Sequence, residues 1–271
     1  MLKTKQTRSA GRPLSMGALI AALVAANILV LFALLPMPWM QKFLLIASPF
    51  CPQRPAHSIF IGGQQMPIEA RMFGMFGGAL LALISFAARR QLGAADMPRG
   101  WRLGLCATLF GVMILDGTQA LLYDMGLLRL YTPNLYLRLS TGLASGVGIA
   151  MLLIPLANQA LWKRPRADQQ LFTGWKDVAC LAVAQTALFA LTLAGWPSTL
   201  LPLSLFNTVA ILTLITALMT LVLVLITRHA GHFTTWREVV GHFSAGFLLA
   251  ALFIAVLAVA RLALFGPGPL G

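Results

Sequence analysis

The sequence predicts an all-α integral membrane protein: a bundle of about seven transmembrane helices, with the N-terminus cytoplasmic and the C-terminus outside. Three observations predict this class: the composition, the long apolar runs and the distribution of Lys and Arg. Of the 271 residues, 59% are hydrophobic and only 10% are charged. A soluble domain usually has about 25% charged residues. Too few polar side chains are therefore present to cover a water-facing surface.

Seven apolar runs are long enough to span a bilayer, since about 18 or more such residues are typical of a transmembrane helix. We place them roughly at residues 15–36, 68–88, 103–123, 139–161, 178–196, 201–227 and 243–265. We expect a single membrane domain (1–271). Its parts are a basic N-terminus with the first helix (1–36), a core of three helices with a long outer loop (37–161), and three further helices (162–271).

The first run resembles the apolar part of a signal peptide because a basic segment precedes it. Its apolar part is longer than the usual ~7–15 residues, and no small-residue cleavage site follows it. We therefore predict a retained first helix.

The net charge of +13 indicates orientation more than nucleic-acid binding, which we do not expect. With a cytoplasmic N-terminus, the inner segments contain Lys3, Lys5, Arg8, Arg12, Arg89, Arg90, Arg99, Arg102, Lys163, Arg164, Arg166, Lys176, Arg228 and Arg237. The outer segments contain Lys42, Arg54, Arg71, Arg129, Arg138 and Arg261. Such an inner excess is the positive-inside pattern of multi-pass proteins, and the cell membrane is the expected location.

The first outer loop, 37–67, is the longest and the least regular connection. It begins with the segment WMQKFLLIASPF, which is amphipathic enough to lie along the membrane interface with Trp39 as an anchor. Prolines and glycines then exclude a continuous helix. Of the three cysteines, Cys51 lies in this loop, so no intramolecular disulfide is expected. We expect Cys106 and Cys180 to be packing residues.

Two pairs of glycines have the spacing that lets membrane helices pack closely. They are Gly74 with Gly78 in the second run, and Gly142 with Gly146 in the fourth. Glycines without a special packing role are the alternative.

Charged residues within spans are costly and need a partner or an aqueous cavity. Among the seven acidic residues, only Glu69 and Asp116 lie at or inside predicted spans. Since helices two and four descend from the outside and helix three ends there, six polar residues converge in the outer half of the membrane. They are Glu69, Arg71, Asp116, Gln119, Arg138 and Thr141.

Two interpretations of this convergence stay open. In the first, Asp116 pairs with Arg138 or Arg71 and Glu69 pairs with the other arginine, so that two buried ion pairs fix the helix arrangement. In the second, the residues line a polar cavity that opens outward, with Asp116 as its deepest ionisable group.

The segment CPQRPAHSIFIGGQQMPIEARMFGMFGG, followed by DGTQ and RLSTGLASG, resembles a family of small prokaryotic membrane proteins, domain of unknown function 2085. The resemblance covers about residues 48–150 and implies a membrane protein without an established reaction. Fourteen residues fit the family pattern: Cys51, Gln53, Pro55, Ser58, Gly63, Pro67, Arg71, Gly74, Asp116, Gly117, Gln119, Arg138, Thr141 and Gly142.

The departures from that pattern concern its cysteines. The family pattern has His where this chain has Pro52, Arg where it has His57, and Cys where it has Glu69 and Met72. The complete Cys and His set would resemble a metal or thiol-redox site, and this chain retains one of its three thiols. Cys51, His57 and Glu69 are weak metal candidates, and we predict no cofactor. His229, His232 and His242 are interpreted as interfacial histidines.

Three functions are compatible with these patterns. The favoured hypothesis is an accessory or scaffold subunit of a larger membrane complex, because no complete catalytic set is present. The alternative is a transporter or binding protein for a small anionic solute, since two arginines favour an anion. A membrane-embedded enzyme using Asp116 or Glu69 ranks third, so the sequence favours a non-enzymatic role.

Overall fold

The computed structural model describes residues 16–127 and 129–266, and this part of the chain contains eight α-helices and one β-hairpin. Seven of the helices are long and apolar enough to cross a membrane, which confirms the predicted class. The elements are α1 (Met16–Leu34), α2 (Trp39–Ala47), β1 (Ser58–Ile61), β2 (Gln64–Glu69), α3 (Ala70–Ala88), α4 (Trp101–Asp124), α5 (Leu135–Leu161), α6 (Trp175–Leu193), α7 (Leu200–Ile226) and α8 (Trp236–Phe265). The basic segment with Lys3, Lys5, Arg8 and Arg12 lies outside the described residues.

Three helices have a boundary that lies at least three residues from the predicted one, for local reasons. Helix α5 begins before residue 139 because the Asn134 side chain caps it, accepting a hydrogen bond of 2.8 Å from the Leu137 backbone. Helix α8 begins at Trp236 rather than 243 because Glu238 accepts hydrogen bonds from Thr234 in the polar first turn. Helix α6 ends at Leu193, ahead of Gly195, whose positive φ of 66° stops the helix.

The centre of the bundle is formed by α3, α5 and α7, which are the most buried of the spanning helices. Helices α3 and α5 make the most extensive contact of any two elements. Helices α1, α4, α6 and α8 lie at the periphery of the bundle and are mostly exposed. Lipid would cover their exposed Leu, Val and Ile side chains.

The predicted irregular loop contains α2 and the hairpin. Strands β1 and β2 are antiparallel with Ile61 opposite Gln64, and Gly62 and Gly63 form the turn with φ of 57° and 80°, as a tight hairpin turn requires. Helix α2 buries Phe43 and Ile46 against the bundle. Its Lys42 Nζ donates to the Ala33 carbonyl at 2.6 Å, so it caps the end of α1.

The two ends of the bundle differ in character. We call the end with α2, the hairpin and the 125–134 loop the hairpin side. At the other end, segments 89–100, 162–174 and 227–235 contact one another through the backbone pairs Ala94–Arg166 and Trp162–Phe233. We call this end the basic side, since it contains Arg89, Arg90, Arg99, Lys163, Arg164, Arg166 and Arg228.

Candidate functional site: a buried polar cluster on the hairpin side

Asp116 is the centre of a buried polar cluster between α3, α4 and α5. Its Oδ2 accepts from Arg71 Nη2 at 2.5 Å and from the Thr141 hydroxyl at 3.2 Å, while Oδ1 accepts from the Tyr131 hydroxyl at 2.7 Å. Gln119 Nε2 donates to the Tyr131 carbonyl at 3.1 Å, which ties the 125–134 loop to α4. Three donors therefore hold this carboxylate in place, and Arg71, its ion-pair partner, balances its charge.

Glu69 lies at the junction of β2 and α3 and has a different partner. Its Oε1 accepts from the Arg54 backbone at 3.0 Å and from Arg54 Nε at 3.2 Å. The interpretation in which Glu69 pairs with the arginine that Asp116 leaves over is therefore wrong for Glu69. The reason is that the chain between residues 51 and 57 folds back over the start of α3 and brings a loop arginine to the carboxylate.

Arg138 is the unexpected member of the cluster. It is only 6% exposed, yet its guanidinium has no hydrogen bond or ion pair with any residue that the structure describes. Arg71 repels it electrostatically, and the carboxylates of Asp124, Asp116 and Glu69 attract it without reaching contact. Its guanidinium nitrogens are not among the fully buried unpaired atoms, so they keep contact with solvent and are open to a ligand.

Three polar atoms of the cluster are buried and have no hydrogen-bond partner among the described residues. They are Arg71 Nε, Gln119 Oε1 and His57 Nδ1. His57 Nδ1 lies 3.6 Å from Glu69 Oε2, and His57 Nε2 lies 3.9 Å from Asp124 Oδ2. Because most buried polar groups in proteins are hydrogen-bonded, three unpaired atoms in one cluster need an explanation.

The titratable groups beside the cluster are held in their neutral forms. Burial, and then the positive charges of Arg138 and Arg54, lower the pKa of His57. Burial and the hydrogen bond to Asp116 raise the pKa of Tyr131 to about 12. His57 and Tyr131 therefore add no charge to the cluster near neutral pH.

Cys51 lies close to Glu69 but is engaged otherwise. Its Sγ accepts hydrogen bonds of 3.3 Å from the backbones of Gln53 and Glu69, and burial raises its pKa to about 11. In the described part of the chain, no three His, Cys, Asp or Glu side chains are placed to share a metal ion. The thiol acts as an acceptor that fixes the 51–57 segment.

The four spaced glycines lie in the contact between α3 and α5. A Cβ on Gly74 would meet the Leu139 carbonyl oxygen at 2.6 Å, and one on Gly78 would meet the Leu143 carbonyl oxygen at 2.8 Å. A Cβ on Gly142 would clash with the Arg71 carbonyl oxygen, and one on Gly146 would lie 2.6 Å from the Met75 carbonyl oxygen. The two motifs thus face each other, and their close approach brings Arg71 and Arg138 to the same level.

Sequence reasoning did not find every member of this arrangement. Tyr131 and Arg54 lie in loops, and no spacing rule relates them to Asp116 or Glu69. On the basic side, Asp177 lies just ahead of the predicted span 178–196, where we expected a loop; it lies instead in the first turn of α6, buried and ion-paired with Arg89. The three cysteines are free thiols, and Cys180 is exposed rather than packed inside the protein.

Comparison with known proteins finds a family model that matches part of the chain, and it finds no activity. Residues 51–152 match the model of a family described as predicted membrane protein (DUF2085), which agrees with the resemblance and covers α3, α4 and most of α5. An uncharacterised protein of Methanocaldococcus jannaschii is 29% identical over 119 residues, which are 44% of this chain and 70% of the relative. No solved structure matches the chain.

Proposed function

We propose that this multi-pass membrane protein binds a small anionic solute carrying a carboxylate or phosphate group at the hairpin-side cluster. The single observation that carries the proposal is Arg138, a buried arginine without an ion-pair partner in the described residues. This is the alternative to the accessory-subunit hypothesis, which the sequence alone favours.

The acids near Arg138 are already engaged. Asp116 accepts from Arg71, Tyr131 and Thr141, and Glu69 accepts from Arg54. Asp124 is exposed and lies 4.0 Å from Arg54. An anionic ligand would supply the compensating charge that the protein does not place in contact with Arg138.

The neighbouring unpaired atoms suit the same ligand. Arg138 and the free Nε of Arg71 are charged donors, and a planar guanidinium matches a carboxylate or phosphate with two parallel hydrogen bonds. His57 Nδ1 donates in the tautomer protonated there, and Gln119 Oε1 accepts a hydroxyl or amine of the ligand. The Arg71–Asp116 pair orients this donor set.

We place the cluster on the outer face of a prokaryotic plasma membrane, with the N-terminus cytoplasmic. Support comes from the loops: the basic side has the clustered Lys and Arg of connections 89–100, 162–174 and 227–235, as cytoplasmic loops do. A solute arriving from outside would meet Arg54 and Asp124 first, because both are half-exposed.

The engaged state of Asp116 supports binding over acid–base catalysis, since its two oxygens accept from three donors. The accessory-subunit hypothesis stays a prediction, and a partner on the hairpin side would be compatible with the same cluster. Co-purification after gentle solubilisation is its test.

The proposal is tested with a panel of anions on the purified chain in neutral detergent. We expect one or more of phosphate, succinate and citrate to raise the unfolding temperature of the wild type, while chloride at equal ionic strength does not. Arg138→Gln should abolish this rise. The matched control is Arg129→Gln, which removes the same charge from an exposed position on the same side. No response to any oxyanion, or an equal loss in both variants, contradicts the proposal.

A further inference from the structure

We propose that a cavity on the basic side, between the end of α5 and the start of α8, binds the phosphate of an anionic phospholipid headgroup. The cavity has a volume of about 860 Å³ and is lined by Lys163, Arg164 and Arg166 together with the indoles of Trp162 and Trp236. It lies at the opposite end of the bundle from the anion cluster, so the two proposals are independent.

The walls of this cavity are fixed by hydrogen bonds. Asn158 Nδ2 donates to the carbonyls of Leu92 and Ala94 at 2.7 and 2.8 Å, and its Oδ1 accepts from Trp162 Nε1 at 2.8 Å. The Lys163 backbone donates to the Phe233 carbonyl at 2.9 Å, which holds the 227–235 loop against the end of α5. The cavity is therefore built by three segments of chain rather than by one flexible loop.

The charge of the lining is of one sign. Lys163, Arg164 and Arg166 all line the cavity, and no carboxylate is among its lining residues. None of these three cations forms an ion pair within the described part of the chain. Glu238, the acid nearest in sequence to the α8 wall, is engaged by the Thr234 backbone and hydroxyl. An uncompensated cationic cavity attracts a phosphate.

The position of the cavity favours a lipid over a soluble phosphate. Trp162 follows the last residue of α5 and Trp236 is the first residue of α8, so both lie where spanning helices leave the membrane. Their rings contact each other edge to face, with the ring centroids 4.7 Å apart, and Trp236 is 69% exposed. Tryptophan at helix ends is typical of the headgroup level, and basic pockets between helices there bind anionic headgroups. Leu92 and Phe233 add apolar surface for the glycerol and upper acyl region.

The test counts lipids bound to the delipidated full-length chain by native mass spectrometry. The probes are dioleoyl phosphatidylglycerol, dioleoyl phosphatidylcholine and glycerol phosphate. We expect phosphatidylglycerol to bind in preference to phosphatidylcholine, and Lys163→Gln/Arg164→Gln/Arg166→Gln to weaken this binding roughly tenfold or more. The matched control is Arg99→Gln/Lys176→Gln/Arg228→Gln, which removes the same three charges from the same side outside the cavity.

Each other outcome overturns the assignment. Equal binding of the two lipids excludes headgroup selection, and an equal loss in both triple variants indicates a general charge effect. Displacement of phosphatidylglycerol by glycerol phosphate at similar concentration would assign the cavity to a soluble phosphate compound. If the triple variant does not fold, Arg164→Gln alone replaces it, with roughly fivefold weaker binding expected; unchanged binding by a folded Arg164→Gln then counts against the proposal.

Discussion

Arg71 of α3 and Asp116 of α4 form a buried ion pair, with Nη2 2.5 Å from Oδ2. This pair selects between the two partners that the sequence allowed for Asp116, because Arg138 is left without a carboxylate. One arginine is therefore structural and the other is available, although both lie in the same cluster at similar depth.

The ion pair predicts a large loss of stability when one partner is neutralised. Arg71→Gln or Asp116→Asn should lower the free energy of unfolding by about 3 kcal/mol or more, because each leaves a buried charge unpaired. Asp124→Asn is the comparison, since the Arg54–Asp124 pair has side chains that are 53% and 41% exposed and such pairs contribute at most about 1 kcal/mol. Unfolding in mixed micelles measures both, and equal effects would argue against a buried pair.

For Arg138 we expect no such loss of stability on neutralisation. Arg138→Gln should leave the free energy of unfolding unchanged or raise it in anion-free buffer, because it removes a charge that lies beside Arg71 and has no ion-pair partner among the described residues. The same denaturation experiment compares it with Arg71→Gln. A loss for Arg138→Gln as large as that for Arg71→Gln would mean that Arg138 has a structural partner after all.

The glycine contact between α3 and α5 predicts a position-dependent effect of one methyl group. Gly78→Ala and Gly142→Ala should destabilise the protein by about 1–3 kcal/mol, because the new Cβ overlaps the backbone of the facing helix. Gly104→Ala and Gly111→Ala in α4 meet nothing within 4 Å and should be neutral or stabilising by up to about 1 kcal/mol. Thermal unfolding of the four variants decides, and a similar response of all four would exclude close packing.

We expect the Cys51 thiol to resist alkylation in the folded protein. Because its pKa is raised from 9.0 to about 11, the thiolate fraction at pH 8 falls roughly a hundredfold. In a Cys106→Ala/Cys180→Ala background, maleimide labelling should be slow in the folded protein and fast after denaturation. Fast labelling of the folded protein at pH 8 would show an accessible, ionised thiol.

The same thiol gives a pH dependence of stability with a defined sign. The folded state holds the thiol proton of Cys51 more tightly than the unfolded state does. The contribution of this thiol to the free energy of unfolding is therefore complete below pH 9.0, and it is lost as the pH rises toward about 11. Stability should therefore fall over this window, and Cys51→Ala should reduce the fall. An identical alkaline profile in Cys51→Ala would assign the fall to other groups.

The sequence was sufficient for features that depend on composition and spacing. Apolar length defined seven spans, because a bilayer demands about 20 apolar residues in each. Helix direction alone brought Arg71, Asp116 and Arg138 to the same side, and the four-residue glycine spacing indicated where two backbones approach.

The sequence did not predict which residues pair with one another within the cluster. Arg54 reaches Glu69 because residues 51–57 fold over the start of α3, and Tyr131 reaches Asp116 because the 125–134 loop turns back. Both contacts depend on tertiary folding of loops, which periodicity does not describe. Asp177 was missed because its polar first turn resembles a loop until its partner Arg89 is placed beside it.

Calorimetric titration of the best anion from the stability panel into the wild type, Arg138→Gln and Arg129→Gln tests the central claim most directly. We expect the wild type and Arg129→Gln to bind the anion with similar affinity. Arg138→Gln should bind it at least roughly thirtyfold more weakly, since truncation of a buried charged donor usually costs about 2–5 kcal/mol. Equal affinity of wild type and Arg138→Gln would contradict the assignment of Arg138 as the anion-binding residue.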